Sequence, residues 1–181
     1  MTATQQRDQA YWQQYLAERT GTYEFRCVRY SAVLDRLMLM GFHVRDSVTD
    51  VGAGRQEFER FLREQGWQGR YLPVDGSIDG TDLDVWHPEV STDWFVAIEV
   101  IEHLHDPGRL VDVLKTQAVR GMCVTTPNPE TTDVLGMDRT HVCEIWPDQL
   151  DAWNLQWDRA TLFASPEWRK ENDSLIGWAK R

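Results

Sequence analysis

Val48-Thr49-Asp50-Val51-Gly52-Ala53-Gly54-Arg55-Gln56-Glu57-Phe58 is the stretch on which the reading of the fold turns. It completes a short apolar strand, Ser47 to Val51. It then opens a helix, Glu57 to Gln65, with Phe58, Phe61 and Leu62 facing inward and Gly66 as its stop. Between the two, a pair of glycines gives backbone space for the close approach of a ligand, which a Cβ would deny. Strand, glycine turn and helix in this order make the opening unit of a parallel α/β sheet. Its crossovers are right-handed, and its ligands sit at the carboxyl ends of the strands.

The alternation recurs along the chain. Arg70 to Val74, Trp94 to Val100 and Gly121 to Thr125 read as further strands, and Asp106 caps a helix that starts at Pro107 and carries Leu110, Val113 and Leu114. Upstream, Asp8 to Glu18 and Tyr23 to Met40 read as helices, the second with Val33, Leu34, Leu37 and Met40 on a stripe before Gly41. Downstream, Ala160 to Ala164 and Leu175 to Ala179 are expected to pair antiparallel around Pro166 to Asp173. Between Gly76 and Asp93 the chain is polar, so a strand expected there is short or missing. The expected architecture is a doubly wound α/β domain with a mostly parallel sheet, helices on both faces and a C-terminal antiparallel strand pair. Residues 1–44 would form a helical cap and residues 45–181 the domain proper, compact as one unit.

At 181 residues, 41% hydrophobic and 27% charged, the composition suits one domain with a sizeable core. Asp and Glu total 29 against 19 Lys and Arg, and the net charge of -10 repels phosphate backbones and anionic membranes. No apolar run approaches the roughly 20 residues of a membrane-spanning helix, and the start, Met1 to Asp8, is polar, so a cytoplasmic protein without membrane partners is expected. The cysteines Cys27, Cys123 and Cys143 are odd in number and lack CxxC spacing, which argues against a disulfide framework or zinc finger. The nine tryptophans are expected mainly in the core, with some lining a pocket.

Asp50 gives the glycine turn its character. A carboxylate two residues before Gly52, with no third glycine at Gln56, suits a ligand's ammonium group better than a pyrophosphate. A purely structural strand-to-helix turn is the alternative. Asp75 ends the next strand about twenty residues on, where it can accept hydrogen bonds from both ribose hydroxyls of an adenosine ligand. Taken alone, an Asp before Gly76-Ser77 is also ordinary turn chemistry. Glu99, Glu102 and His103 would share one face if the chain turns helical there, and their oxygen and imidazole donors suit Mg2+ or Mn2+. His105 beside Asp106 reads as a turn residue, and His43 and His87 have no partner visible in the sequence.

Together, Asp50-Val51-Gly52-Ala53-Gly54, Asp75, Glu99-Val100-Ile101-Glu102-His103 and Thr126-Pro127-Asn128 resemble a class I S-adenosylmethionine-dependent methyltransferase over roughly residues 45 to 155. The resemblance implies a Rossmann-like fold in which Asp50, Gly52 and Gly54 contact the methionine moiety, Asp75 the ribose, Asp82 and Leu83 the adenine edge, and Glu99 the cofactor pocket. It also implies an altered helix entry at Gln56, where the family often has a third glycine. With Thr125-Thr126-Pro127-Asn128-Pro129-Glu130 and His141-Val142-Cys143-Glu144-Ile145-Trp146, the likeness extends to ubiquinone-type O-methyltransferases and small-RNA 3′-terminal 2′-O-methyltransferases. By that likeness Glu99, Glu102, His103 and His141 would hold a metal that activates a hydroxyl. Relatives without metal use the same acids and Glu-His to shape the pocket or cap a helix. Candidate bases are His103, His141 and Glu102, and the implied substrate is a small-molecule hydroxyl or, second, an RNA 3′ end. A nicotinamide-dependent reductase and a non-catalytic cofactor-binding module remain as rival readings.

Overall fold

The computed structural model describes residues 7–19, 21–164 and 169–181. Two helices come first, α1 (Gln9–Glu18) and α2 (Tyr23–Met40), the latter ended by left-handed Gly41. The expected unit follows: β1 (Val48–Val51), wholly buried, runs through the glycine turn into α3 (Glu57–Glu64), which buries Phe58, Phe61 and Leu62. Next come β2 (Tyr71–Val74), a single turn α4 (Gly76–Asp79), and β3 (Trp94–Ile98). A 3-10 turn at Ile101–His103 leads to α5 (Pro107–Gln117), capped by the Asp106 side chain, and β4 (Gly121–Pro127). The chain then forms α6 (Val134–Met137), α7 (Pro147–Ala152), β5 (Gln156–Ala160) and β6 (Ser174–Lys180).

The six strands form one sheet in the order β2-β1-β3-β4-β6-β5. The first four are mutually parallel, while β6 runs antiparallel to both β4 and β5. From β1 the chain moves outward to β2 and then returns to β3 on the other side, so the strand order reverses between β1 and β3. That switch point leaves a crevice beyond the carboxyl ends of the strands. Alternate residues of β3 feed two cores: Trp94 and Val96 pack with Val33, Leu37, Phe58 and Leu62, and Phe95 and Ala97 with Leu110, Leu114 and Leu150. A sheet buried on both faces explains the nearly continuous apolar runs in β3 and β4. Among the described residues, no helix is long and apolar enough to cross a membrane.

Two departures from expectation have local causes. β3 stops at Ile98 rather than Val100 because Glu99 takes a left-handed conformation (φ 57°). The first strand of the terminal pair is Gln156–Ala160, not Ala160 to Ala164. The buried Asp173 carboxylate draws the backbone amide of Leu162 (2.7 Å), so this segment is tied to a side chain instead of a strand ladder. Of the connection expected at Pro166 to Asp173, residues 165–168 lie outside those described. The polar stretch after Val74 holds α4 and no strand among the described residues.

Gln56 keeps the backbone a glycine would favour: it precedes α3 in the left-handed region (φ 57°, ψ 29°) with no side-chain cap. A side chain there costs roughly 1–2 kcal/mol, partly offset by the entropy glycine loses on folding. Gln56→Gly should therefore stabilise the fold by about 1 kcal/mol, raising Tm by about 2–4 °C. A variant that melts lower than the parent contradicts this account of the helix entry.

Candidate functional site

The loop after β1 is shaped by two demands on its glycines. Gly52 has φ 75°, and a Cβ built on it would lie 2.3 Å from Val100 Cγ2 on the neighbouring strand end. Its amide and that of Ala53 both donate to Val74 O (2.7 and 3.1 Å), pulling the loop across the end of β2. Gly54 donates its amide to Asp75 Oδ2 (2.8 Å), while Asp75 Oδ1 accepts from Ser77 N (2.7 Å) and Ser77 Oγ (2.6 Å) to cap α4. The Asp75 carboxylate thus locks the loop and α4 together, and its remaining lone pairs are available to a ligand.

Asp50, at the end of buried β1, accepts a hydrogen bond from Tyr71 Oη. Burial pushes its carboxyl up to about 7, the Tyr71 hydroxyl opposes this, and the neighbouring Asp75 charge adds to it. Asp50, Gly52, Gly54, Asp75, Asp82, Leu83 and Glu99 all line one cavity of about 780 Å³, within the range of sites for cofactors and drug-sized ligands. All seven residues expected at a cofactor therefore share one space at the switch point.

An N-terminal helical cap was expected, but that α1 would cover this cavity was not legible in the sequence. Trp12, Tyr15 and Leu16 of α1 line it. Gln9 Nε2 donates to Ile78 O (2.7 Å), Gln13 Nε2 to Ser77 O (3.0 Å), and Tyr15 Oη to Asp138 Oδ2 (2.6 Å). The signal was three aromatic rings, Tyr11, Trp12 and Tyr15, on a helix rich in glutamine, which reads equally well as a surface element.

Beside the cavity lies a second cluster. The left-handed turn at Glu99 and the 3-10 turn after it place Glu102 inward, fully buried, and Val142 N donates to Glu102 O (2.9 Å), bringing in the loop that carries His141. His103 Nε2 and His141 Nε2 each lie 3.9 Å from Glu102 Oε1, and one donor atom from each of the three residues falls within 4.8 Å of the others. His141 Nδ1 is 2.6 Å from Val134 O, a pure acceptor, so it carries the proton. Thr140 Oγ1 donates to Asp138 Oδ1 (2.7 Å), which makes it the acceptor for His103 Nδ1 at 2.9 Å. Both imidazoles therefore turn Nε2 toward Glu102, whose own two oxygens have no hydrogen-bond partner among the described residues.

A buried carboxylate without partners is costly, and burial, with the Glu99 charge adding, holds Glu102 well above the usual carboxylate range. Burial likewise pulls His103 down to about 3, with His141 contributing in the same direction. Two converging imidazoles and a carboxyl group without partners fit the donor set of a divalent cation. Glu99, expected as the fourth ligand, is not in this group: its Oε1 accepts from Thr125 Oγ1 (2.9 Å) and its Oε2 lies 3.7 Å from Arg29 Nη2.

No protein family matches the sequence, and no curated protein is similar to it. Solved structures do share its architecture. A chain of the complex between the Haloferax volcanii Trm112 methyltransferase activator and a methyltransferase superposes with a TM-score of 0.71 at 15% identity, covering 94% of this chain and 95% of that one. An S-adenosylmethionine-dependent methyltransferase of Archaeoglobus fulgidus gives 0.67 at 17% identity, covering 94% and 100%. Magnesium protoporphyrin IX methyltransferase of Synechocystis, solved with S-adenosylhomocysteine, gives 0.59 at 13% identity, covering 94% and 92%. At such identities the likeness concerns the fold, and the Rossmann-like sheet with its antiparallel C-terminal pair is the one on which these methyltransferases are built.

Proposed function

We propose that this chain is an S-adenosylmethionine-dependent methyltransferase acting on the hydroxyl of a small molecule. The observation that carries the reading is the meeting of Asp50, Gly52, Gly54, Asp75, Asp82, Leu83 and Glu99 around one cavity at the β1/β3 switch point. S-adenosylmethionine, when bound, supplies a methyl group on a positively charged sulfur. Gly52 and Gly54 leave room beside the backbone, Asp50 pairs with the ammonium, and Asp75 accepts from the ribose hydroxyls. Asp82 and Leu83 flank the adenine, and the rings of α1 exclude water. The helices α1 and α2 thus act as a cap on the domain that follows them.

Of the candidate catalytic residues, His103 is a weak base at neutral pH, pulled down to about 3 by burial, while burial holds the Glu102 carboxyl well above the usual carboxylate range. Their convergence with His141 suits them to holding Mg2+ or Mn2+, which would displace a proton from the Glu102 carboxyl and lower the pKa of an acceptor hydroxyl. That cluster also favours a second reading, metal-dependent 2′-O-methylation of an RNA 3′ end, which the net charge of -10 opposes. Methyl-transfer assays on hydroxylated acceptors test the proposal. A product whose NMR spectrum places the new methyl on oxygen bears it out, and a methyl on carbon or nitrogen refutes the hydroxyl assignment.

Asp50 gives the binding step a pH signature. Its folded-state pKa, about 7, lies above the ordinary carboxylate value, so the ligand-free protein holds a proton there below that pH. Pairing with an ammonium group requires that proton to leave. Affinity should therefore rise about tenfold per pH unit up to about pH 7 and then level off, with proton release seen by calorimetry in buffers of different ionisation enthalpy. A flat affinity between about pH 6 and pH 8 contradicts the ammonium contact.

A further inference from the structure

The cavity is lined by five arginines, Arg7, Arg19, Arg26, Arg29 and Arg55, in a chain that is acidic overall. Four of them are engaged. Arg7 donates to His103 O (3.2 Å), Arg19 pairs with Asp138 (2.6 Å), Arg26 grips both carboxylate oxygens of Glu57, and Arg55 donates to the carbonyls of Leu16 and Arg19. Arg29 differs. Its side chain is 14% exposed, its Nε is buried without a partner, and it makes no hydrogen bond among the described residues. The guanidinium stacks on Phe163 (4.9 Å to the ring centroid) and faces Glu99 at 3.7 Å, too far for a hydrogen bond.

Burying a guanidinium without acceptors is expensive, and its fork of donors matches a carboxylate in geometry. The stacking on Phe163 holds the group in place, and Glu99 balances part of its charge without using its donors. Asp50 and Gly52 line the same cavity. A ligand whose ammonium rests on Asp50 and which also carries a carboxylate needs a cationic partner within that space.

We propose that Arg29 is the anion receptor of this cavity and binds a carboxylate there. The proposal rests on the cofactor reading above, and the carboxylate comes from the methionine end of the cofactor or from an acidic acceptor.

Calorimetric titration of the wild type, Arg29→Gln and Arg29→Lys with S-adenosylmethionine and with its decarboxylated analogue separates the two sources. If the cofactor supplies the carboxylate, Arg29→Gln weakens S-adenosylmethionine by about 10- to 100-fold, changes the decarboxylated analogue less than about twofold, and Arg29→Lys recovers part of the loss. If the acceptor supplies it, both nucleosides bind all variants alike. In that case acetate or inorganic phosphate raises the melting temperature of the S-adenosylhomocysteine-saturated wild type but not of Arg29→Gln. Equal weakening of both nucleosides in Arg29→Gln and Arg29→Lys, or a complete indifference of nucleosides and anions to Arg29, overturns the proposal. A wild type that binds neither nucleoside would instead refute the cofactor reading, and the anion titration without nucleoside would still decide the role of Arg29.

Discussion

Gly52→Ala is expected to lower affinity for S-adenosylmethionine by at least about 100-fold while leaving a folded chain. Two penalties combine at this position. Alanine at φ 75° costs roughly 1–2 kcal/mol, and its Cβ would lie 2.3 Å from Val100 Cγ2, an overlap of the kind that costs about 1–3 kcal/mol when a core shifts to absorb it. The loop can relieve both by moving away from β3. That movement breaks the bonds from Gly52 and Ala53 to Val74 O and from Gly54 to Asp75, which set the shape of the ligand site. A deformation worth about 2.7 kcal/mol corresponds to the stated loss. Calorimetry on a variant whose far-ultraviolet dichroism matches the parent checks it, and unchanged affinity would show that the glycine turn is only a structural connection.

Glu102→Met is expected to abolish methyl transfer, by at least about 100-fold, and at the same time to stabilise the ligand-free protein by about 1–3 kcal/mol. The opposed signs follow from the same atoms. Glu102 is fully buried with both oxygens unpartnered, so the fold tolerates it at a cost that an apolar side chain of similar size removes. Because its folded-state pKa is raised above the unfolded value, the penalty is absent below about pH 4 and grows as pH rises toward the folded-state pKa. The stability gain of the variant should therefore be larger at neutral pH than at pH 4. Mg2+ or Mn2+ should raise the melting temperature of the wild type but not of Glu102→Met or His141→Ala, since only a protein that binds the ion gains from it. Full activity in Glu102→Met would remove this cluster from the chemistry, and activity indifferent to chelators would remove the metal.

Legibility in the sequence followed how local each cause was. Tyr23–Met40 was bounded correctly because Val33, Leu37 and Met40 mark one face and Gly41 takes the left-handed stop. The edge strand Gln156–Ala160 was missed because it has little apolar pattern: Gln156, Asp158 and Arg159 are exposed, and the strand exists through its pairing with β6. That the candidate cofactor residues share one cavity was readable because the glycine turn and Asp75 end adjacent strands, so sequence order alone places them side by side. The cluster of Glu102, His103 and His141 was readable only in part. Helical spacing assumed that Glu99, Glu102 and His103 share a face, but the left-handed backbone at Glu99 sends its carboxylate to Thr125 and Arg29. His141 reaches Glu102 through a backbone bond from Val142, a long-range contact with no local signature. The cover formed by α1 depends on hydrogen bonds to Ser77, Ile78 and Asp138, which no periodicity encodes.

Titrating the folded chain with S-adenosylhomocysteine in a calorimeter decides whether the cavity between the ends of β1 and β3 is a site for S-adenosylmethionine. Saturable binding of one equivalent is expected, competed by S-adenosylmethionine and lost in Gly52→Ala. A folded wild type that takes up neither compound at millimolar concentration, or that binds Gly52→Ala and wild type alike, would contradict it.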